Sequence, residues 1–146
     1  MDYKNIDVEK VVELFKSGID CGQVIVGAIS EEIGADVETC VKIASGFGGG
    51  MFEADMCGAY IGGIMAVGLK YGHCKEGDDE SKVNLIKKVF EFKEEYKKIC
   101  DKKICKDILK YDLTNPKDSE IIAEKNLLFT VCPKLVVDVI EIVKNL

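Results

Sequence analysis

Seven cysteines are the residues best suited to chemistry in this 146-residue chain. No Cys-x-x-Cys pair occurs, so thioredoxin-like active sites and zinc-ribbon spacings are both absent. The odd number of cysteines also argues against a fully paired disulfide framework. We therefore expect these side chains to bind metal, to react, or to fill the core as small apolar groups.

Four of the cysteines fall where helices are predicted to begin: Cys21, Cys57, Cys105 and Cys132. Free N–H groups and the helix dipole favour negative charge at such positions, so we expect lowered thiol pKa values there. Thiolate is the form of cysteine that binds metal and reacts. The four thiols are thus candidate ligands of an iron–sulfur cluster, with zinc as the alternative, and Cys21 and Cys57 are also candidate redox thiols.

The other cysteines and the single histidine are less informative. Cys40 lies inside a predicted helix and Cys74 at the end of the next, so core filling or incidental exposure is expected for both. Cys100 ends the fifth predicted helix and could lie beside Cys105 as an auxiliary thiol. For His73 a surface position is expected, and a metal ligand is the alternative.

Apolar residues recur at helical spacing along almost the whole chain, and no strand pattern competes. Eight helices are predicted: Val8 to about Ser17, Cys21 to Ile33, Asp36 to Gly46, Cys57 to Tyr71, one through Leu85 to Ile99, Cys105 to Tyr111, one opened by Asn115-Pro116, and one opened by Cys132-Pro133. The prediction is an all-α, single-domain antiparallel bundle of seven to eight helices over residues 1–146. Every second helix of such a bundle begins at the same end, so the four thiols could converge.

Glycines form two further candidate features. The run from Gly46 to Gly50 could offer backbone N–H groups to an anion or to cluster sulfur, or it could be a plain connection. Small residues in the fourth helix predict close approach of a neighbouring backbone, with a glycine-lined site as the alternative; they are Gly58, Gly62, Ala66 and Gly68. The candidate cofactor-binding residues from both features are Gly48, Gly49, Gly50 and Gly58.

Composition excludes several classes of function. The formal charge is −6 and every basic residue is lysine, so a nucleic-acid partner is disfavoured. The most apolar stretch, residues 56–69, is shorter than the about 20 residues that span a bilayer. Because no secretory-signal pattern is present at the N-terminus, a cytoplasmic protein without a membrane partner is expected.

Five segments of the chain resemble the C_GCAxxG_C_C family, which is described as redox-active. They begin at Asp20-Cys21-Gly22, at Ala44 before the glycine run, at Cys57-Gly58-Ala59, at Cys105 and at Cys132. The resemblance implies that these four cysteines are the signature residues. It also implies a helical fold similar to a domain of split-Soret cytochromes, with electron transfer and an iron–sulfur site. No haem is expected, because the Cys-x-x-Cys-His attachment motif is missing.

Three hypotheses follow from these observations. The leading one is a redox-active protein whose clustered cysteines bind an iron–sulfur cluster and pass electrons to a partner protein. The first alternative is a thiol–disulfide oxidoreductase or redox sensor. The second is a non-catalytic helical module that is stapled by zinc or is free of metal. The sequence does not decide whether the chain is an enzyme, what its partner is, or its oligomeric state.

Overall fold

The computed structural model describes residues 2–146, and these residues contain nine α-helical segments. They are α1 (Val8–Lys16), α2 (Cys21–Ile33), α3 (Val37–Ala44), α4 (Gly58–Tyr71), α5 (Asp79–Ile99), α6 (Cys105–Leu109), α7 (Pro116–Glu124), α8 (Leu127–Thr130) and α9 (Cys132–Lys144). The chain is 73% helical, and the described residues contain no β-strand. The all-α prediction is confirmed. All eight predicted helices are present, and the single turn α8 is an addition.

Helix boundaries follow from capping residues in the sequence. The Asp36 carboxylate accepts a hydrogen bond from the Thr39 N–H at 3.3 Å and thereby begins α3. The Asn115 side chain accepts from the N–H groups of Lys117 and Asp118, and the proline that follows it begins α7. Gly34 ends α2 in the left-handed conformation, with φ 73°.

The core is built around α2, whose residues 22–30 are all buried. A helix that is apolar on every side must be covered on every side. Here α3, α4 and α9 pack against it, and α5 packs against α4 and α9. An aromatic cluster joins α4 to α5, where the rings of Tyr60 and Tyr96 meet edge to face with centroids 4.8 Å apart.

The backbones of α2 and α4 approach closely where three glycines meet. A Cβ atom placed on Gly62 would lie 2.8 Å from the Cα atom of Gly22, and one on Gly22 would lie 3.0 Å from the carbonyl oxygen of Gly58. Close packing is therefore the role of Gly58 and Gly62. The same expectation for Gly68 is wrong, because a Cβ there would meet nothing within 4 Å.

The connection between α3 and α4 contains a left-handed turn. A 3-10 turn at Ser45–Phe47 leads into a π-helical turn at Gly50–Ala54. Gly49 and Gly50 have φ of 56° and 65°, and non-glycine residues in the turn also have positive φ. Left-handed backbone is strained for residues that carry a Cβ atom, so surrounding contacts must hold this turn in place. Among residues 2–146, no helix is both long and apolar enough to cross a membrane.

Candidate functional site

Cys21 and Cys57 are brought together by the glycine contact between α2 and α4. Each cysteine directly precedes one of the contacting glycines, Gly22 and Gly58. A Cβ atom on Gly58 would lie 2.5 Å from the Cys21 sulfur. The Cys21 side chain therefore lies directly against Gly58, in space that any larger residue would fill.

Cys57 and Cys105 are brought together by two backbone hydrogen bonds. The Cys57 N–H donates to the carbonyl oxygen of Lys103 at 2.7 Å, and the Cys105 N–H donates to that of Asp55 at 2.7 Å. The bonds form an isolated antiparallel bridge, centred on the two residues between them, Met56 and Ile104. The bridge joins the start of α4 to the start of α6 across 48 residues of sequence.

Cys132 completes the group from the start of α9. It is the first residue of that helix, and the buried Pro133 follows it. α9 packs against both α2 and α4, and its start is preceded by the one-turn α8. Leu128 and Phe129 on that turn line the same cavity as the thiols.

The four thiols line one cavity of about 140 Å³. Its remaining wall is mostly apolar and consists of Phe15, Asp20, Gly49, Gly50, Gly58, Leu113, Leu128 and Phe129. Cys57 and Cys105 are buried, whereas Cys21 and Cys132 are partly exposed. One water needs only about 10–15 Å³ measured in this way, so the cavity has room for far more than a single small ion.

The thiols of the cavity are difficult to ionise, which contradicts the expectation of lowered pKa values. Burial raises the pKa of Cys105 to about 11 and that of Cys132 to about 12. The pKa values of Cys21 and Cys57 are raised as well, again first by burial. Mutual repulsion adds to the shift, because a thiolate at Cys57 disfavours ionisation at the other three.

The effect of the helix starts is present but is outweighed. The N–H groups of Ala59 and Tyr60 bond to the Cys57 sulfur and lower its pKa, as the Gly22 N–H does for Cys21. These N–H groups have no partner within the first turn of a helix. Removal of the thiols from water costs more than these donors contribute, so without a bound cation the thiols stay protonated.

The arrangement suits a group larger than one metal ion. Zinc–sulfur bonds of about 2.3 Å in a tetrahedron require sulfurs about 3.8 Å apart. Among residues 2–146, no three His, Cys, Asp or Glu side chains form a group that could hold a metal ion. All-cysteine ligand sets bind iron–sulfur clusters, and these four residues could hold such a group.

The predicted glycine positions divide into two kinds. Gly49, Gly50 and Gly58 line the cavity. Gly48 does not line it but packs against Asp20, whose carboxylate occupies the space that a Cβ atom on Gly48 would need. The glycine run thus holds the residue before Cys21 in place as well as forming part of the wall.

The remaining candidate residues lie outside the cavity. Cys40 is partly exposed beside α4, and Cys74 and His73 are exposed after the end of that helix. Cys100 does not line the cavity, but its charge raises the pKa of Cys57, so it lies within range of that residue.

The sequence did not predict the apolar side chains that line the cavity, or the backbone bridge beside it. Leu113, Leu128 and Phe129 come from connections and short turns that carry no periodic signal. The bridge pairs only one residue from each segment, so it leaves no alternating pattern to detect. Phe15 lies in α1, and only the packing shows that it lines the cavity.

Residues 19–146 match a family model described as "Putative redox-active protein (C_GCAxxG_C_C)", and the chain belongs to this family. No curated protein and no solved structure matches the chain. The match begins just before Cys21 and includes all four cysteines of the cavity. The resemblance read from the sequence is confirmed.

Proposed function

We propose that the protein binds an iron–sulfur cluster through Cys21, Cys57, Cys105 and Cys132 and transfers electrons to a partner protein. The proposal rests on one observation: four thiols from four helix starts line the same cavity. Four cysteine thiolates are the usual ligands of two-iron and four-iron clusters. When bound, such a cluster supplies a redox centre at this end of the helical bundle.

Residues around the thiols would support that role in two ways. The side chains of Phe15, Leu113 and Phe129 limit the access of water, and a dry, low-dielectric surrounding is one determinant of cluster potential. The N–H groups of Ala59 and Tyr60 already point to the Cys57 sulfur. Hydrogen bonds of this kind stabilise negative charge on a ligating sulfur and raise the potential.

The raised thiol pKa values bear on the alternative of a thiol–disulfide oxidoreductase. Such an enzyme needs an attacking thiol whose pKa lies near the ambient pH. Burial moves the pKa of all four cavity thiols in the opposite direction. A bound metal reverses this cost because it replaces the protons, so the same burial is compatible with metal binding.

Anaerobic purification and reconstitution test the proposal. The protein should take up iron and acid-labile sulfide in equal amounts, and it should gain a visible absorption band that bleaches with dithionite. Single Cys→Ser changes at Cys21 and at Cys132 should reduce the iron content. The matched control is the double variant Cys40→Ser/Cys74→Ser, which removes two thiols outside the cavity and should retain full iron.

Three results would contradict the proposal. A colourless, iron-free protein after anaerobic reconstitution would exclude the cluster. Stoichiometric zinc without iron or sulfide would instead support the zinc-stapled module. Equal loss of iron in the control variant and in the cavity variants would show that iron does not bind at the cavity.

A further inference from the structure

Cys100 is a fifth thiol beside the cavity and has no role in the proposed function. It follows the last residue of α5 and begins the irregular connection, residues 100–104, that leads to α6. Its sulfur donates a hydrogen bond to the carbonyl oxygen of Lys102 at 3.2 Å. Unlike Cys57, which is buried, Cys100 is partly exposed to solvent.

The connection ties Cys100 to Cys57 through consecutive carbonyl groups. The Lys102 carbonyl accepts from the Cys100 sulfur, and the next carbonyl, of Lys103, accepts from the Cys57 N–H at 2.7 Å. The hydroxyl of Tyr96 donates to the Lys102 carbonyl at 2.8 Å and fixes the connection from the core side. The Cys100 side chain and the Cys57 backbone are thus held by neighbouring peptide groups.

The Tyr96 side chain also lies near both Cys57 and Cys100. It is fully buried, and burial is the main reason that its pKa is raised well above the ordinary value. A hydrogen bond with Cys100 and the charges of Cys57 and Cys100 raise it further. One phenol therefore lies close to both thiols.

We propose that Cys57 and Cys100 form a disulfide when the protein meets a peroxide, and that this bond withdraws Cys57 from the cavity. The disulfide itself needs only the two thiols, whereas the loss of a cluster ligand rests on the proposed function. A bridge requires Cα atoms about 4.4–6.8 Å apart. Both cysteines lie outside regular helix, Cys57 before α4 and Cys100 after α5, so the backbone can adjust without breaking either helix.

The chemistry balances with one peroxide. The more accessible Cys100 thiolate attacks the O–O bond, becomes a sulfenic acid and releases hydroxide, which takes up the thiol proton as water. The Cys57 thiol then attacks the Cys100 sulfur and gives up its proton, the S–S bond forms, and the sulfenic hydroxyl leaves with that proton as a second water. The two sulfurs are oxidised, and the two peroxide oxygens are reduced.

Disulfide mapping tests the inference on metal-free, reduced protein that carries Cys40→Ser and Cys74→Ser. The protein is treated with one equivalent of hydrogen peroxide, blocked with N-ethylmaleimide and cut with trypsin. Cleavage after lysine places every remaining cysteine in its own peptide: residues 17–42, 43–70, 99–102, 104–106 and 126–134. The expected product is peptide 43–70 linked to peptide 99–102.

Two variants show whether the pairing is specific. Cys100→Ser should abolish the linked species, and Cys105→Ser should retain it. If peptide 43–70 is linked instead to peptide 17–42, 104–106 or 126–134, or if Cys100 is recovered alkylated, the inference is overturned. The iron analysis described above is a separate measurement, so failure of the disulfide and failure of the cluster can be distinguished.

Reconstituted protein provides the second readout. Peroxide should release iron and form the Cys57–Cys100 disulfide together in the parent protein. The Cys100→Ser variant should bind the same amount of iron and lose it more slowly under peroxide. Equal rates of iron loss in the two proteins would show that Cys100 does not withdraw the ligand.

Discussion

Replacement of Gly62 by alanine should destabilise the protein by separating α2 from α4. The new Cβ atom would lie 2.8 Å from the Cα atom of Gly22, whereas ordinary contact begins at 3.4 Å, so the helices must part by about 0.6 Å. The atoms in conflict are backbone, and no rotamer change relieves them. Overpacking costs about 1–3 kcal/mol, and alanine contributes up to about 1 kcal/mol in helix propensity. The net expectation is a loss of about 1–2 kcal/mol.

Gly68→Ala is the matched control for this change. Gly68 lies in the same helix, and a Cβ there meets nothing within 4 Å, so only the gain in helix propensity remains, about 0.5–1 kcal/mol. Urea unfolding of both variants and the parent, followed by far-ultraviolet circular dichroism in a reducing buffer, measures the two free energies. If both variants were equally stable, the close approach of α2 and α4 would be refuted.

Three further predictions concern the cavity and its surroundings. Gly58→Ala should lower iron uptake on reconstitution, because the new Cβ atom would displace the Cys21 sulfur. Equal iron uptake by Gly58→Ala and by the control Gly68→Ala would contradict this prediction. Tyr96→Phe should lower the free energy of unfolding by about 0.5–1.5 kcal/mol in urea, because the Lys102 carbonyl loses its buried donor; an unchanged urea midpoint would exclude that contribution. The pKa of Cys132 is about 12 in the folded protein, against an ordinary 9.0, so the neutral thiol favours folding below pH 9 and this stability is lost as the pH rises. Between pH 8 and pH 10 this thiol should lower the free energy of unfolding by about 1.4 kcal/mol. In urea titrations of metal-free protein at the two pH values, the free energy of unfolding of Cys132→Ser should therefore fall by about 1.4 kcal/mol less than that of the parent protein.

The fold could be predicted from the sequence because its helices are marked locally. Apolar stripes at helical spacing, the capping Asp36 and Asn115, and the terminating Gly34 each act within a few residues. The turn at Gly50–Ala54 could not be predicted in the same way. Its left-handed residues include Met51 and Phe52, whose Cβ atoms disfavour that conformation.

Which cysteines meet was also accessible from the sequence, but the chemistry of their thiols was not. The position of a cysteine at a helix start is a local property, and this predicted the lowered pKa values. Burial is a property of the whole fold, and at Cys21 and Cys57 its effect on the thiol pKa exceeds that of the helix N–H groups. The neighbourhood of Cys100 depends on the single bridge at Met56 and Ile104, for which the sequence carries no pattern.

Cys57 belongs to both of the contacts that assemble the cavity, and this distinguishes it from the other three cysteines. The glycine after it admits the Cys21 side chain, and its own N–H joins the bridge that brings Cys105. The same N–H binds the carbonyl next to the one that holds Cys100. A change in the backbone at Cys57 must therefore alter its distance to three thiols at once. For that reason a bond from Cys57 to Cys100 would alter the position of Cys57 relative to both Cys21 and Cys105, and so would disturb the ligand set at more than one residue.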